Sequence, residues 1–149
     1  MSAVAVQSST SSRWQNLSDY KDVMQLKDKI IASKIPRNFV LLNEVSLAKD
    51  YSYVPYGVKD QDKDIMMKNW TGTMVHNNGD ITFFEFECDD DFPTSAPRRL
   101  RFVVPIENTR VKRVCDEEGY VKKEYIAELR WKEDMKLGDY LMKLREYVK

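Results

Sequence analysis

Apolar positions recur along this chain with two different periods. Phe39, Leu42 and Val45 lie at i, i+3, i+6 with Leu41 beside them, and Pro36, favoured in a first helical turn, stands just ahead. This predicts an amphipathic helix over 36–48, and its periodicity alone puts Phe39 and Leu42 on the face that such a helix buries. Leu137, Tyr140, Leu141, Leu144 and Val148 repeat at i, i+3, i+4, i+7, i+11 and predict a C-terminal helix. Between them the period falls to two: Phe84 and Phe86 alternate with Glu85 and Glu87, a strand over 81–88. Aromatic and β-branched residues at 51–56, ended by Gly57, predict another strand, and two more lie within 65–75 and over 100–104.

The turns complete the picture. His76-Asn77-Asn78-Gly79-Asp80 is a hairpin signal, residues 59–64 are a charged turn, Asp89-Asp90-Asp91 an acidic one, and Phe92-Pro93 to Ala96-Pro97 a proline-bounded one. Residues 105–130 are less regular, with turn signals at Asn108-Thr109 and Glu117-Glu118-Gly119. Segregated strands and helices imply an α+β domain, with helices on one side of a four-stranded antiparallel meander. The domain division is 1–33, an extension, and 34–149. The extension begins with a Ser-, Ala-, Thr- and Gln-rich stretch that predicts a disordered start. Then Ser18 or Asp19 can cap a helix over 19–33 carrying Val23, Leu26, Ile30 and Ile31, which either packs on its own domain or binds a partner.

Composition removes several function classes. A chain of 149 residues has the size of one domain, and 24 Lys+Arg against 24 Asp+Glu leave no net charge. That argues against retention on nucleic acid by bulk positive charge, though not against a local basic patch. No apolar run approaches the roughly 18 residues of a membrane span, and residues 1–15 lack the pattern of a secretory signal. Two cysteines cannot make a disulfide framework; reduced thiols fit the cytosol or nucleus. With one histidine and two distant cysteines there is no metal-ligand cluster, and no cofactor motif is present.

The candidate chemical groups are few. Cys88, at a strand end, is expected in the core. Cys115 lies between basic Lys112 and Arg113 and acidic Asp116, Glu117 and Glu118, which push a thiol pKa in opposite directions. It is read as a loop cysteine, with a nucleophile as the alternative. His76 is expected as an exposed loop residue rather than a general base, and the Asp89–Asp91 run as a solvated turn rather than a metal site.

Four landmarks occur in order: Lys34-Ile35-Pro36-Arg37-Asn38-Phe39-Val40-Leu41-Leu42-Asn43-Glu44; Asn69-Trp70-Thr71-Gly72-Thr73; Phe92-Pro93 with Ala96-Pro97 and Arg101-Phe102; and Trp131 with Leu141 and Leu144-Arg145. Together they resemble the ubiquitin-conjugating fold, and the opening Pro-Arg-Asn-Phe with its Leu-Leu pair resembles the ubiquitin-conjugating enzyme variants, its catalytically inactive relatives. The resemblance covers 34–148. It implies a conjugating-type fold that lacks the last two C-terminal helices of active members. Those members carry a cysteine nucleophile after His-Pro-Asn, within Gly-x-(Ile/Val)-Cys, some residues ahead of a Trp. Here Gly119-Tyr120-Val121 fits that pattern but the next residue is Lys122, nine residues before Trp131, and Asn108-Thr109-Arg110 stands in place of His-Pro-Asn.

The resemblance implies no catalysis by this chain. It implies a heterodimer with an active ubiquitin-conjugating enzyme, in which an acceptor ubiquitin is held so that its lysine sixty-three faces the partner's thioester, in DNA-damage tolerance or signalling, in cytoplasm and nucleus. Carried over by position, the partner contact is Pro36, Arg37, Asn38, Phe39 and Leu42, with Phe39 as anchor, which reverses the burial expected from periodicity. The acceptor contacts are Pro55, Thr73 and Ile81, and Ile81 is either exposed on the sheet or buried in its core. Two departures stand out: the His76–Gly79 turn is shorter than the family's proline-containing loop, and the segment 107–118 is longer. The competing functions are a binding module for ubiquitin or proline-rich peptides in sorting, and an atypical active enzyme using Cys115.

Overall fold

The computed structural model describes residues 35–149, with 35 and 36 described by their backbone alone. The chain divides into two compact units, Met1–Pro36 and Arg37–Lys149. The unit that begins at Arg37 is the subject below; the expected disordered start and the helix over 19–33 lie outside the described residues.

Helix α1 (Ile35–Leu47) runs into a single 3-10 turn (Ala48–Asp50). Four strands follow: β1 (Tyr56–Val58), β2 (Asn69–Val75), β3 (Ile81–Glu87) and β4 (Arg98–Phe102). Three helices close the chain: α2 (Thr109–Val114), α3 (Lys123–Leu129) and α4 (Leu137–Glu146). The strands form one antiparallel sheet in the order β1-β2-β3-β4, a meander, as the strand and turn pattern predicts. Register is set by side-chain alternation. Trp70, Gly72 and Met74 of β2 and Phe84 and Phe86 of β3 point inward, with Trp70 opposite Phe86 and Gly72 opposite Phe84. Gly72 makes this pairing fit, because a Cβ there would collide with the Phe84 ring.

The inward face joins Leu41 and Ala48 of the first helical segment and Leu137, Tyr140, Leu141 and Leu144 of α4 in one core. Two sequence landmarks meet at its edge: the Trp131 indole N–H donates to Pro93 O at 2.8 Å, and its ring packs 5.4 Å from Phe92 and 5.1 Å from Tyr140. Each such aromatic pair adds about 1 kcal/mol to the apolar burial.

Several local expectations are corrected. Residues 51–55 form turns, and only Tyr56–Val58 pairs as a strand, running through Gly57 rather than ending there. The reason is that Tyr51 O is taken by Val54 N, while the Tyr51 ring packs on Gly138. The fourth strand begins at Arg98 and ends at Phe102. Residues 105–130, thought irregular, hold α2 and α3. Helix α2 starts because Asn108 Oδ1 accepts from Arg110 N at 2.9 Å and Val111 N at 3.1 Å, an N-cap that satisfies two otherwise free donors.

Candidate partner-binding surfaces

Helix α1 has its apolar stripe on the outside. Phe39 is 60% exposed, Leu42 57% and Val45 42%, whereas Arg37, Leu41, Glu44 and Ala48 are buried. The helix is amphipathic, as its period predicts, but the stripe with charged members is the one that faces the protein. Two polar anchors make this affordable. The Arg37 guanidinium donates to three backbone carbonyls: Asp89 O (2.6 Å), Met66 O (2.6 Å) and Cys88 O (2.7 Å), and also reaches Asn38 Oδ1 (3.1 Å). A buried charge is tolerable when hydrogen bonds replace its water, and a planar fork can serve three acceptors at once. Glu44 Oε1 accepts from the Tyr56 hydroxyl at 2.9 Å, and Oε2 from Leu137 N at 2.8 Å. Burial pushes the Glu44 carboxyl above its usual range, a rise that these two hydrogen bonds oppose.

Of the residues expected at the partner contact, Phe39 and Leu42 stand exposed and Asn38 is half-buried. Pro36 lies in the first turn of α1, with its side chain outside the described residues. Arg37 corrects its assignment: its side chain is turned inward and 3% exposed, so it positions the start of the helix instead of presenting itself to a partner.

The outer face of the sheet is divided along the strands. At one end Lys59 Nζ contacts Glu85 Oε2 (2.9 Å), Arg101 Nε contacts Glu85 Oε1 (3.1 Å) and Arg99 Nε contacts Glu87 Oε2 (3.5 Å). The guanidinium carbons of Arg99 and Arg101 stand 5.3 and 5.8 Å from the Tyr120 ring centroid, so these charges are matched within the chain. At the other end the outward residues are apolar. Ile81 is 55% exposed and Phe83 56%, with Val103 beside them. Pro55 is exposed and Thr73 half-buried; Thr73 pairs with Phe83, and Thr73 N donates to Pro55 O. Pro55, Thr73 and Ile81 therefore lie on one face. Phe83 belongs to the same face, and the strand alternation that singled out Phe84 could have found it.

Neither cysteine is presented for chemistry. Cys88 is fully buried, and burial pushes its thiol far up. Cys115, expected in a loop, is buried where it bridges Val121; burial, helped by Asp116, pushes it up to about 12. A thiol that stays protonated at neutral pH is a poor nucleophile. Lys122 is exposed at the N-cap of α3, its N–H donating to Val114 O at 2.9 Å. The turn ahead of it needs glycine: Gly119 has φ +93, and a Cβ there would collide with the Phe102 carbonyl.

His76 is buried, contrary to the exposed position expected. It continues the inward parity of Trp70, Gly72 and Met74 past the end of β2. Its Nε2 lies 2.8 Å from Thr82 Oγ1, and burial, then the Arg145 charge, lower its pKa. Among the described residues no cluster of His, Cys, Asp or Glu could hold a metal ion, and no helix is long and apolar enough to cross a membrane.

No protein-family model matches the chain. Curated relatives do. The chain is 33% identical over 123 residues to Ubiquitin-conjugating enzyme E2 variant 1D of Arabidopsis thaliana, covering 75% of this chain and 80% of that protein. It is 32% identical over 123 residues to variant 1B of the same plant, covering 75% and 73%. To Ubiquitin-conjugating enzyme variant MMS2 of Saccharomyces cerevisiae it is 30% identical over 123 residues, covering 76% and 85%. With the sheet and helices described above, this chain belongs to the ubiquitin-conjugating enzyme variants.

Proposed function

We propose that this chain is a non-catalytic subunit of a ubiquitin-conjugating complex. It pairs with an active ubiquitin-conjugating enzyme through the exposed stripe of α1, and holds an acceptor ubiquitin on the outer face of its sheet for chains linked through lysine sixty-three. The observation that carries the reading is the inverted helix: Phe39, Leu42 and Val45 lie in water while Arg37 and Glu44 are anchored inside. An aromatic standing at the end of a rigidly held helix suits insertion into a partner's pocket.

The chemistry then belongs to the partner, whose thioester carbonyl is attacked by the acceptor lysine amine, with the thiolate leaving. This chain contributes position, which turns an encounter into an effectively unimolecular step. Lys122 in place of a nucleophile, and a Cys115 that stays protonated, favour this reading over an atypical active enzyme. Action in cytoplasm and nucleus, in damage tolerance or signalling, is part of the same proposal.

The test is a pull-down from lysate with the full chain, followed by reconstitution with the active conjugating enzyme recovered. A one-to-one complex that builds lysine-sixty-three linkages, with no reducible ubiquitin adduct on this chain alone, supports the proposal. An adduct that forms without the partner and disappears in Cys115→Ser overturns it.

A further inference from the structure

We infer that Phe83 is the central positioning residue of the acceptor surface, set in an apolar shelf that reaches β4 and the segment after it. This rests on the acceptor reading above and extends it beyond Pro55, Thr73 and Ile81.

The argument is geometric. Phe83 pairs directly with Thr73 across β2, and Val103 N donates to Phe83 O at 2.8 Å on the opposite side. Ile81 lies two residues back on the same strand and pairs with Val75. Ile81 and Thr73 are thus diagonal neighbours, and Phe83 is adjacent to both. A body that touches Ile81 and Thr73 together lies over the square whose other corners are Phe83 and Val75, and of these Phe83 is the more exposed. On the β4 side the face continues into a concavity of about 480 Å³ lined by Phe83, Val103, Pro105, Ile106 and Asn108. Its rim is held by Asp80 Oδ2, which accepts from Asn78 Nδ2 at 2.9 Å and stands 3.4 Å from Asn108 Nδ2. Asp80 and Glu107, both exposed, make this rim acidic.

A half-exposed phenylalanine beside exposed Ile81 and Val103 is a surface with an aromatic at its centre and a charged edge. That is the arrangement in which one anchor dominates affinity while neighbours exclude water. In the ionic half of the sheet Lys59 and Arg101 are both paired with Glu85, so the apolar part of this face is its Ile81–Phe83 end. The acidic rim favours an occupant whose apolar patch is bordered by basic residues. Continuity with Thr73 and Ile81 makes that occupant the acceptor ubiquitin, rather than a second copy of this chain.

The experiment titrates isotope-labelled monoubiquitin with the full chain and follows its amide shifts. Phe83→Ser is expected to weaken binding by about tenfold, the scale of an aromatic anchor, Phe83→Leu by less, and Ile81→Ala also to weaken it. Ile65→Ala, at an exposed residue in the turn between β1 and β2, is expected to leave ubiquitin binding unchanged, and melting curves of each variant check the fold. If Ile81→Ala weakens binding while Phe83→Ser does not, the acceptor surface stands and the role of Phe83 is overturned. If wild-type chain shifts no ubiquitin resonance at millimolar concentration, the acceptor reading falls and Phe83 with it. Sedimentation showing a wild-type homodimer that Phe83→Ser abolishes would assign the face to a second copy instead.

Discussion

Glu44, in the middle of α1, accepts a hydrogen bond from the backbone N–H of Leu137, the first residue of α4, at 2.8 Å. Helix α4 has no side-chain cap of its own, since Lys136 at the N-cap makes none. One carboxylate therefore does two things: it closes the amino end of the C-terminal helix, where a negative group is favoured by the helix dipole, and it fixes the rotation of the helix that carries Phe39. Glu44→Gln should destabilise the protein by about 1–3 kcal/mol, because an amide nitrogen must then face either the Leu137 N–H or the Tyr56 hydroxyl, and one buried donor is left unsatisfied. Urea unfolding measures this; an unchanged midpoint would mean that the network contributes nothing.

Arg37 makes a parallel case at the other end of α1. A lysine keeps the charge but not the planar fork, and cannot satisfy Asp89 O, Met66 O and Cys88 O in one geometry. Arg37→Lys should cost roughly 2 kcal/mol of stability, the scale of lost hydrogen bonds to a charged group. Its effect on partner affinity should be smaller than that of Phe39→Ala. The reverse order would return Arg37 to the interface.

These two anchors also explain what the sequence could and could not tell. Periodicity identified α1 and located an apolar stripe, but a stripe does not say which side water is on. The answer depended on Arg37 meeting a carbonyl 51 residues away and Glu44 a backbone N–H 93 residues away, beyond the reach of any local window. Only the match to Pro-Arg-Asn-Phe placed Phe39 outward. Strand β3 was legible because Phe84 and Phe86 alternate with Glu85 and Glu87, yet the same alternation carried back one residue makes Phe83 an outward aromatic that went unremarked. Helices α2 and α3 were missed because six and seven residues are too short to display a period. His76 was taken for a turn residue because Asn77, Asn78 and Gly79 follow it, although β2 parity turned it inward.

Phe39→Ala should weaken the complex with the active conjugating enzyme by tenfold or more, equivalent to about 1.4 kcal/mol or above. Because Phe39 is 60% exposed, the same change should move the unfolding midpoint of the isolated chain hardly at all, within about 0.5 kcal/mol. Calorimetric titration and urea unfolding, taken together, separate these effects. A large loss of stability would show that the side chain packs on its own protein.

Cys88 and Cys115 should both resist a disulfide-exchange reagent at pH 8 in the folded protein and react at once in guanidinium. Burial holds Cys115 up to about 12, so its thiolate fraction at that pH is very small. Rapid native labelling of one thiol, traced to Cys115 by mass spectrometry, would reopen the case for a nucleophile.

His76 gives the chain a stability that depends on pH in a known direction. Its folded pKa is lowered from 6.5 by burial, then by the Arg145 charge, with Asp80 opposing. Between the folded and unfolded pKa values the unfolded chain binds more protons, so stability rises with pH across that window. The contribution is fully present above about 6.5 and is lost as pH falls through the lower folded value. Glu85 and Asp89, whose carboxyls are held below their ordinary values, titrate outside that window. Glu44, whose carboxyl is raised by burial, acts in the opposite sense and favours the fold as pH falls, so the His76 contribution is read as the difference between the wild type and His76→Gln. In His76→Gln, which can still hydrogen-bond Thr82, urea midpoints should fall less between pH 7 and pH 5 than in the wild type. Equal slopes in both proteins would mean that protonation of His76 does not oppose folding. Because His76 lies where β2 turns into β3, with its Nε2 2.8 Å from Thr82 Oγ1, a flattened slope would place the proton uptake at that hairpin.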